Sequence, residues 1–172
     1  MPLTAATERD IEVVSAQLGR PARDIVAIGS RCVCGNPTVV QTKPRLADGT
    51  PFPTVYYLTH PGATAAVSTL EATGLMAQLQ ERLAVDEAFA AAYQAAHEAY
   101  IRDRDNVAAA CGLEPVGEVA GISAGGMPLR VKCLHALVGH ALAAGPGVNP
   151  VGDIALELCS WSPDRCQCEV EG

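Results

Sequence analysis

The sequence predicts an α+β fold: a small β-sheet from the N-terminal third, packed by alanine-rich helices. Two observations carry this. The segments rich in β-branched and aromatic residues cluster between residues 24 and 60, and from Ala63 onward apolar residues recur at helical spacing in an alanine-rich background. Strands in one run followed by helices in another suit a sheet with helices segregated to a face, not an alternating parallel architecture. With 172 residues, 49% of them hydrophobic, the chain is sized for one core. Residues 1–172 are therefore read as a single domain, with a loosely determined C-terminal tail from residue 159.

Thr7 with Asp10 three residues later has the form of a capping box, using Asp where Glu or Gln is usual. Ile11, Val14 and Leu18 follow at helical spacing, and Gly19 and Pro21 stop that helix. Residues 24–32, 37–42 and 54–59 read as strands. The link at 44–53 carries Asp48-Gly49 and three prolines, which predicts an ordered loop or broad hairpin connection. Val67, Leu70, Met76, Leu79, Leu83, Phe89 and Tyr93 mark helices broken near Gly74 and Asp86. His97, Tyr100 and Arg104 continue one stripe of a long helix ending near Gly112, and read as a polar seam against the sheet before they read as a catalytic row. A short helix at 154–158 closes the pattern.

Twelve basic against nineteen acidic residues give a formal charge of −7, which argues against a general nucleic-acid binder or an anionic-membrane binder. No run approaches the ~20 apolar residues of a membrane span, and the first ten residues lack a charged lead followed by an apolar signal core. The expected location is cytoplasmic. Seven cysteines, an odd number with no framework spacing, read as intracellular thiols. Cys32 and Cys34 form one C-x-C and Cys166 and Cys168 another. In an extended strand the two thiols of such a pair point to opposite faces, so both reach one site only from a turn, which Gly35-Asn36-Pro37 supplies after Cys34. For the C-terminal pair a disulfide, or no ligation at all, stands beside metal binding.

The densest group of reactive side chains is the segment 124–140. Gly125 and Gly126 precede Pro128, which suits a first helical position, so a helix is predicted to start there with Arg130 and Lys132 in its first turn. Val131, Leu134, Val138, Ala141 and Leu142 would share its core face, leaving Cys133 and His140 on the other. Cys133 and His140 lie two turns apart, roughly 10 Å along the axis, too far to share one ion at bond lengths of about 2.0–2.3 Å. Any metal site must recruit ligands from elsewhere. Two cations at a helix N-terminus call for an anion, either a phosphate or carboxylate ligand held with the amides of Gly125 and Gly126, or an internal acid such as Asp48, Glu71 or Asp153.

Four stretches together resemble a largely actinobacterial family, domain of unknown function family 501: residues 31–37 (Arg-Cys-Val-Cys-Gly-Asn-Pro), 44–53, 124–135 and 147–153 (Gly-Val-Asn-Pro-Val-Gly-Asp). The resemblance runs from residue 10 to 158 and brings no mechanism. It implies Cys or His at position 60, where this chain has His60, and those two side chains interchange most naturally as metal ligands. Cys32, His60 and Cys133 then become three ligands from three elements, with Cys34 or a C-terminal cysteine as the fourth.

The expected function is thus a metal-binding protein, with zinc favoured over an iron–sulfur cluster because His60 is in the set, and with Gly125, Gly126, Arg130 and Lys132 holding a small anion nearby. His135, His140 and Asp153 are further candidate site residues. The alternatives are a metal-free phosphate- or carboxylate-binding module and a regulatory domain that uses its alanine-rich helices for partner or oligomer contacts. No Walker loop, dinucleotide fingerprint or H-E-x-x-H occurs, and the sequence assigns no reaction class and no catalytic residue.

Overall fold

The capping box, the Gly19 stop and the clustered strand segments all take the form the sequence predicts. The computed structural model describes residues 3–168. Strand β1 (Thr4–Ala5) precedes helix α1 (Glu8–Leu18), whose N-terminus is held by Thr7 and Asp10 reciprocally and whose end turns at a left-handed Gly19. Strands β2 (Ile25–Arg31), β3 (Pro37–Thr42) and β4 (Tyr56–Leu58) follow, and the sheet runs β1-β2-β3-β4 with every neighbour antiparallel. β1 was not expected. It is two residues long and has no local pattern of its own, and it is held by pairing with Ile28 and Ala27.

Helices α2 (Pro61–Glu71), α3 (Leu75–Val85) and α4 (Glu87–Ala110) break at Gly74 and Asp86, as the spacing predicts. A 3₁₀ turn (Gly117–Val119) and a long irregular segment lead to α5 (Leu134–Ala144) and α6 (Pro150–Leu158). The last helix starts four residues before the expected position, because Asn149 caps it and Pro150 opens it.

Alternation along the strands sends neighbouring residues to opposite faces. Val40 and Ile28, cross-strand partners, pack with Val14 of α1 in a small cluster on one face. Val39, beside Val40, faces the main core with Val55, Leu58, Tyr93, Tyr100, Leu137, Val138 and Val151. The sheet thus lies between α1 and the helical layer. α5 packs against α6 at Gly152, where a Cβ would stand 2.6 Å from that of Ala141, so only glycine permits the approach. The stripe His97–Tyr100–Arg104 is buried: His97 Nδ1 meets Ser123 Oγ at 2.7 Å, and Arg104 donates to the carbonyls of Pro53, Val119 and Ile122. It is the polar seam the sequence predicts, and it satisfies loop carbonyls that burial would otherwise leave without partners.

Candidate metal centre

Cys32 and Cys34 sit in the turn between β2 and β3. The amide of Cys32 donates to the Asn36 carbonyl and that of Gly35 to the Cys32 carbonyl, both at 2.8 Å, which curls the C-x-C so that its two thiols converge instead of alternating. The C-terminal segment returns to this turn after α6. Trp161 is fully buried with its ring 5.3 Å from the His60 imidazole, and the Val33 amide donates to the Pro163 carbonyl at 2.8 Å. These contacts deliver the second C-x-C. The Sγ atoms of Cys32, Cys34, Cys166 and Cys168 all lie within 4.8 Å of one another, and Cys34 and Cys168, 134 residues apart in sequence, are 3.5 Å apart at sulfur. A tetrahedral ion with metal–sulfur bonds of about 2.3 Å sets its sulfurs about 3.8 Å apart, so the four thiols are able to hold one metal ion.

His60 stands directly behind this group. Its Nδ1 accepts the amides of Gly62 and Ala63 at 3.0 and 3.3 Å, capping α2, and its Nε2 lies 3.1 Å from Cys168 Sγ. A nitrogen that accepts two N–H groups carries no proton, so the neutral ring bears its hydrogen on Nε2 and donates it to the sulfur. Burial holds the imidazole in that neutral form, lowering its pKa. The thiols are unequal. The Asn36 amide brings Cys34 down to about 7, whereas burial pushes Cys168 up to about 12 and raises Cys32. Gathering four thiolates here therefore needs a cation to offset their charge, the coupling by which metal binding releases protons.

A second group lies at the start of α5. Cys133 is its N-terminal cap residue, His135 is in its first turn, and Glu71 reaches it from the end of α2; one ligand atom from each falls within 4.8 Å of the others. Glu71 Oε1 is 2.5 Å from His135 Nδ1 and its Oε2 accepts the Leu134 amide at 3.2 Å. His135 Nε2 lies 3.2 Å from both the Thr64 carbonyl and Ser68 Oγ. Hydrogen bonding to His135, helped by the Ala136 amide, lowers the Cys133 pKa, and the same contact raises that of His135, with Glu71 adding to it.

The structure groups the predicted residues differently from the expectation. Cys32 and Cys34 are in the four-sulfur group, His60 donates to one of its members, and Cys133 belongs to the second group, so Cys32, His60 and Cys133 do not form one three-ligand set. The predicted helix start is also displaced. α5 begins at Leu134, six residues after Pro128, and the Met127–Pro128 peptide is cis. Arg130 and Lys132 are exposed residues before the helix, so they do not face its dipole from the first turn. The Gly125 and Gly126 carbonyls accept the Lys132 and Arg130 amides at 2.8 and 2.9 Å. Gly125 also has φ +64°, and a Cβ on it would come within 2.6 Å of Leu137 Cγ; the tight turn accounts for the glycine.

The acid at the start of α5 is Glu71, one of the three internal carboxylates named from sequence, but it pairs with His135 and the Leu134 amide and not with Arg130 or Lys132. Asp153 instead accepts the Gly147 amide at 2.9 Å. His140, expected on the outer face, is fully buried between Tyr56 and Tyr100, takes the Asn149 side-chain amide at 3.1 Å, and is brought down to about 4 by burial. From sequence the roles of Cys166 and Cys168 are open. The repeated C-x-C spacing was the available signal, but it could not say which pair meets which.

Among the described residues, no helix is long and apolar enough to cross a membrane. A family model described as "Protein of unknown function (DUF501)" matches residues 28–157. No curated protein and no solved structure matches the chain significantly.

Proposed function

This chain belongs to the DUF501 family of proteins of unknown function, and from that premise we propose that it is a zinc protein whose ion, held by Cys32, Cys34, Cys166 and Cys168, clasps the C-terminal segment to the β2–β3 turn. The observation that carries this is the convergence of two C-x-C pairs from opposite ends of the chain onto one point. The closeness of the sulfurs favours a single ion. A polynuclear iron–sulfur cluster separates its cysteines by its own width, whereas all four sulfurs here lie within 4.8 Å of one another. Four protein ligands leave no open position, which is the pattern of a structural zinc site. The His60 Nε2–H beside Cys168 supports the same reading, since outer hydrogen bonds orient and stabilise coordinated thiolates.

Elemental analysis and an absorption spectrum of anaerobically purified protein test it. The expected result is zinc without visible absorption, with one equivalent lost in the Cys166→Ser, Cys168→Ser double variant. Visible bands with acid-labile sulfide would replace zinc by a cluster. Equal metal content in the wild type and the double variant would remove the reading.

A further inference from the structure

We propose a second metal site, one that takes a divalent cation of the zinc class through Cys133 Sγ, His135 Nδ1 and the Glu71 carboxylate and leaves a fourth position to water. It is independent of the clasp and differs from it in kind. The donors are a thiolate, an imidazole and a carboxylate, already within 4.8 Å of one another on the facing ends of α2 and α5. Three protein ligands of this type with one position left over is the arrangement of sites that exchange water or substrate, not of closed structural ones.

The outer contacts of such a site are already in place. A ligating histidine usually donates its other ring N–H to a carbonyl or carboxylate; here Nε2 faces the Thr64 carbonyl at 3.2 Å, which leaves Nδ1 for the ion. The second oxygen of Glu71 is fixed by the Leu134 amide at 3.2 Å, so the carboxylate presents its other oxygen inward. Glu71 Oε1 and His135 Nδ1 now stand 2.5 Å apart, bridged by a proton. An ion replaces that proton and needs the two atoms roughly 3.3 Å apart, the edge of a tetrahedron with bonds of about 2.0 Å. The Glu71 side chain supplies the small opening. Charge also balances, because one carboxylate and one thiolate neutralise a divalent cation. The side chains of His135 and Glu71 are 27% and 22% exposed, so water reaches the group without a conformational change.

The test counts ions. Whole protein stripped with chelator is titrated with zinc and its stoichiometry read by native mass spectrometry, with circular dichroism confirming the fold of each variant. Two equivalents are expected in the wild type. One is expected in Glu71→Gln and in His135→Ala, and one, of the second kind, in the Cys166→Ser, Cys168→Ser double variant. Glu71→Gln keeps an acceptor for the Leu134 amide and so guards against simple unfolding. Cobalt(II) in the tail double variant should give the weak sulfur-to-metal absorption of one thiolate, lost on Cys133→Ser. A single wild-type equivalent that disappears with the tail cysteines and ignores Glu71 and His135 overturns this proposal while leaving the clasp intact. A single equivalent with the opposite dependence removes the clasp and keeps this site.

Discussion

His60 joins helix α2 to the thiol of Cys168: one ring nitrogen caps the helix and the other, 3.1 Å from the sulfur, carries the proton that the sulfur accepts. The link ties the position of a C-terminal cysteine to the start of the first helix after the sheet. It also makes His60 a donor to one of the four grouped thiols and not a fifth member of their group.

His60→Ala should therefore weaken zinc binding at the clasp without abolishing it. The expected loss is about 10–100-fold in affinity, the usual effect of removing an outer partner, with a further ~1 kcal/mol of stability from the missing helix cap. Chelator competition measures the first and urea unfolding the second. Unchanged affinity would remove the donor role assigned to Nε2.

Trp161 is the sole tryptophan of the chain, and it is buried against His60 just before the second C-x-C. Its fluorescence should report docking of the tail. Removing metal with a chelator is expected to shift its emission to longer wavelength as the ring meets water, and zinc should reverse the shift. Identical spectra for the stripped and loaded protein would show that the ion does not hold the tail.

Asp10 takes a bidentate hydrogen-bonded pair from Arg31 at 2.7 and 2.9 Å while capping α1 through Thr7. The guanidinium holds its carboxyl well below the usual range. Because the folded-state value is depressed, the stabilisation is complete above the unfolded pKa of about 3.9 and is lost as pH falls toward the folded value. Asp10→Asn should cost about 2–3 kcal/mol at neutral pH, less than the ~3–5 of a fully buried pair, since the Arg31 side chain is 26% exposed. Urea midpoints of variant and wild type should draw together as the pH drops from about 4.

Gly152→Ala should destabilise the protein by about 2 kcal/mol or more through overpacking, because the added methyl group enters the contact between α5 and α6. Thermal unfolding reads the loss. A neutral result would mean that the two helices separate at little cost.

Local chemistry explains which parts of this fold can be read from sequence. Thr7 and Asp10, Gly19, Asp86 and the β-branched run of β3 each act within a few residues, and each marks its element in the sequence as it does in space. The start of α5 does not. Pro128 and the preceding glycines mimic a helix start, but the helix begins where Glu71, brought by α2, satisfies the Leu134 amide, a partner 63 residues away. The candidate metal centre divides in the same way. The turn that converges Cys32 and Cys34 is written in Gly35-Asn36-Pro37, whereas the meeting with Cys166 and Cys168 depends on Trp161 finding its place beside His60. The assignment of Cys133 to the first site failed for that reason. Nothing near it in sequence records that Glu71 is its neighbour.

Arg165 lies exposed on the strap between Trp161 and Cys166, its guanidinium donating to the Ser160 carbonyl and its amide to that of Ser162. A protease that cuts after arginine needs an extended stretch of backbone around its target, which a docked strap denies and a released one offers. Cleavage at Arg165 would separate two of the four sulfurs from the rest of the molecule, and the fragment left behind could not reseal the clasp. If the four thiols hold an ion, its loss is then reversible only while the strap stays whole, and metal starvation in the presence of a protease would become a permanent record written in chain length.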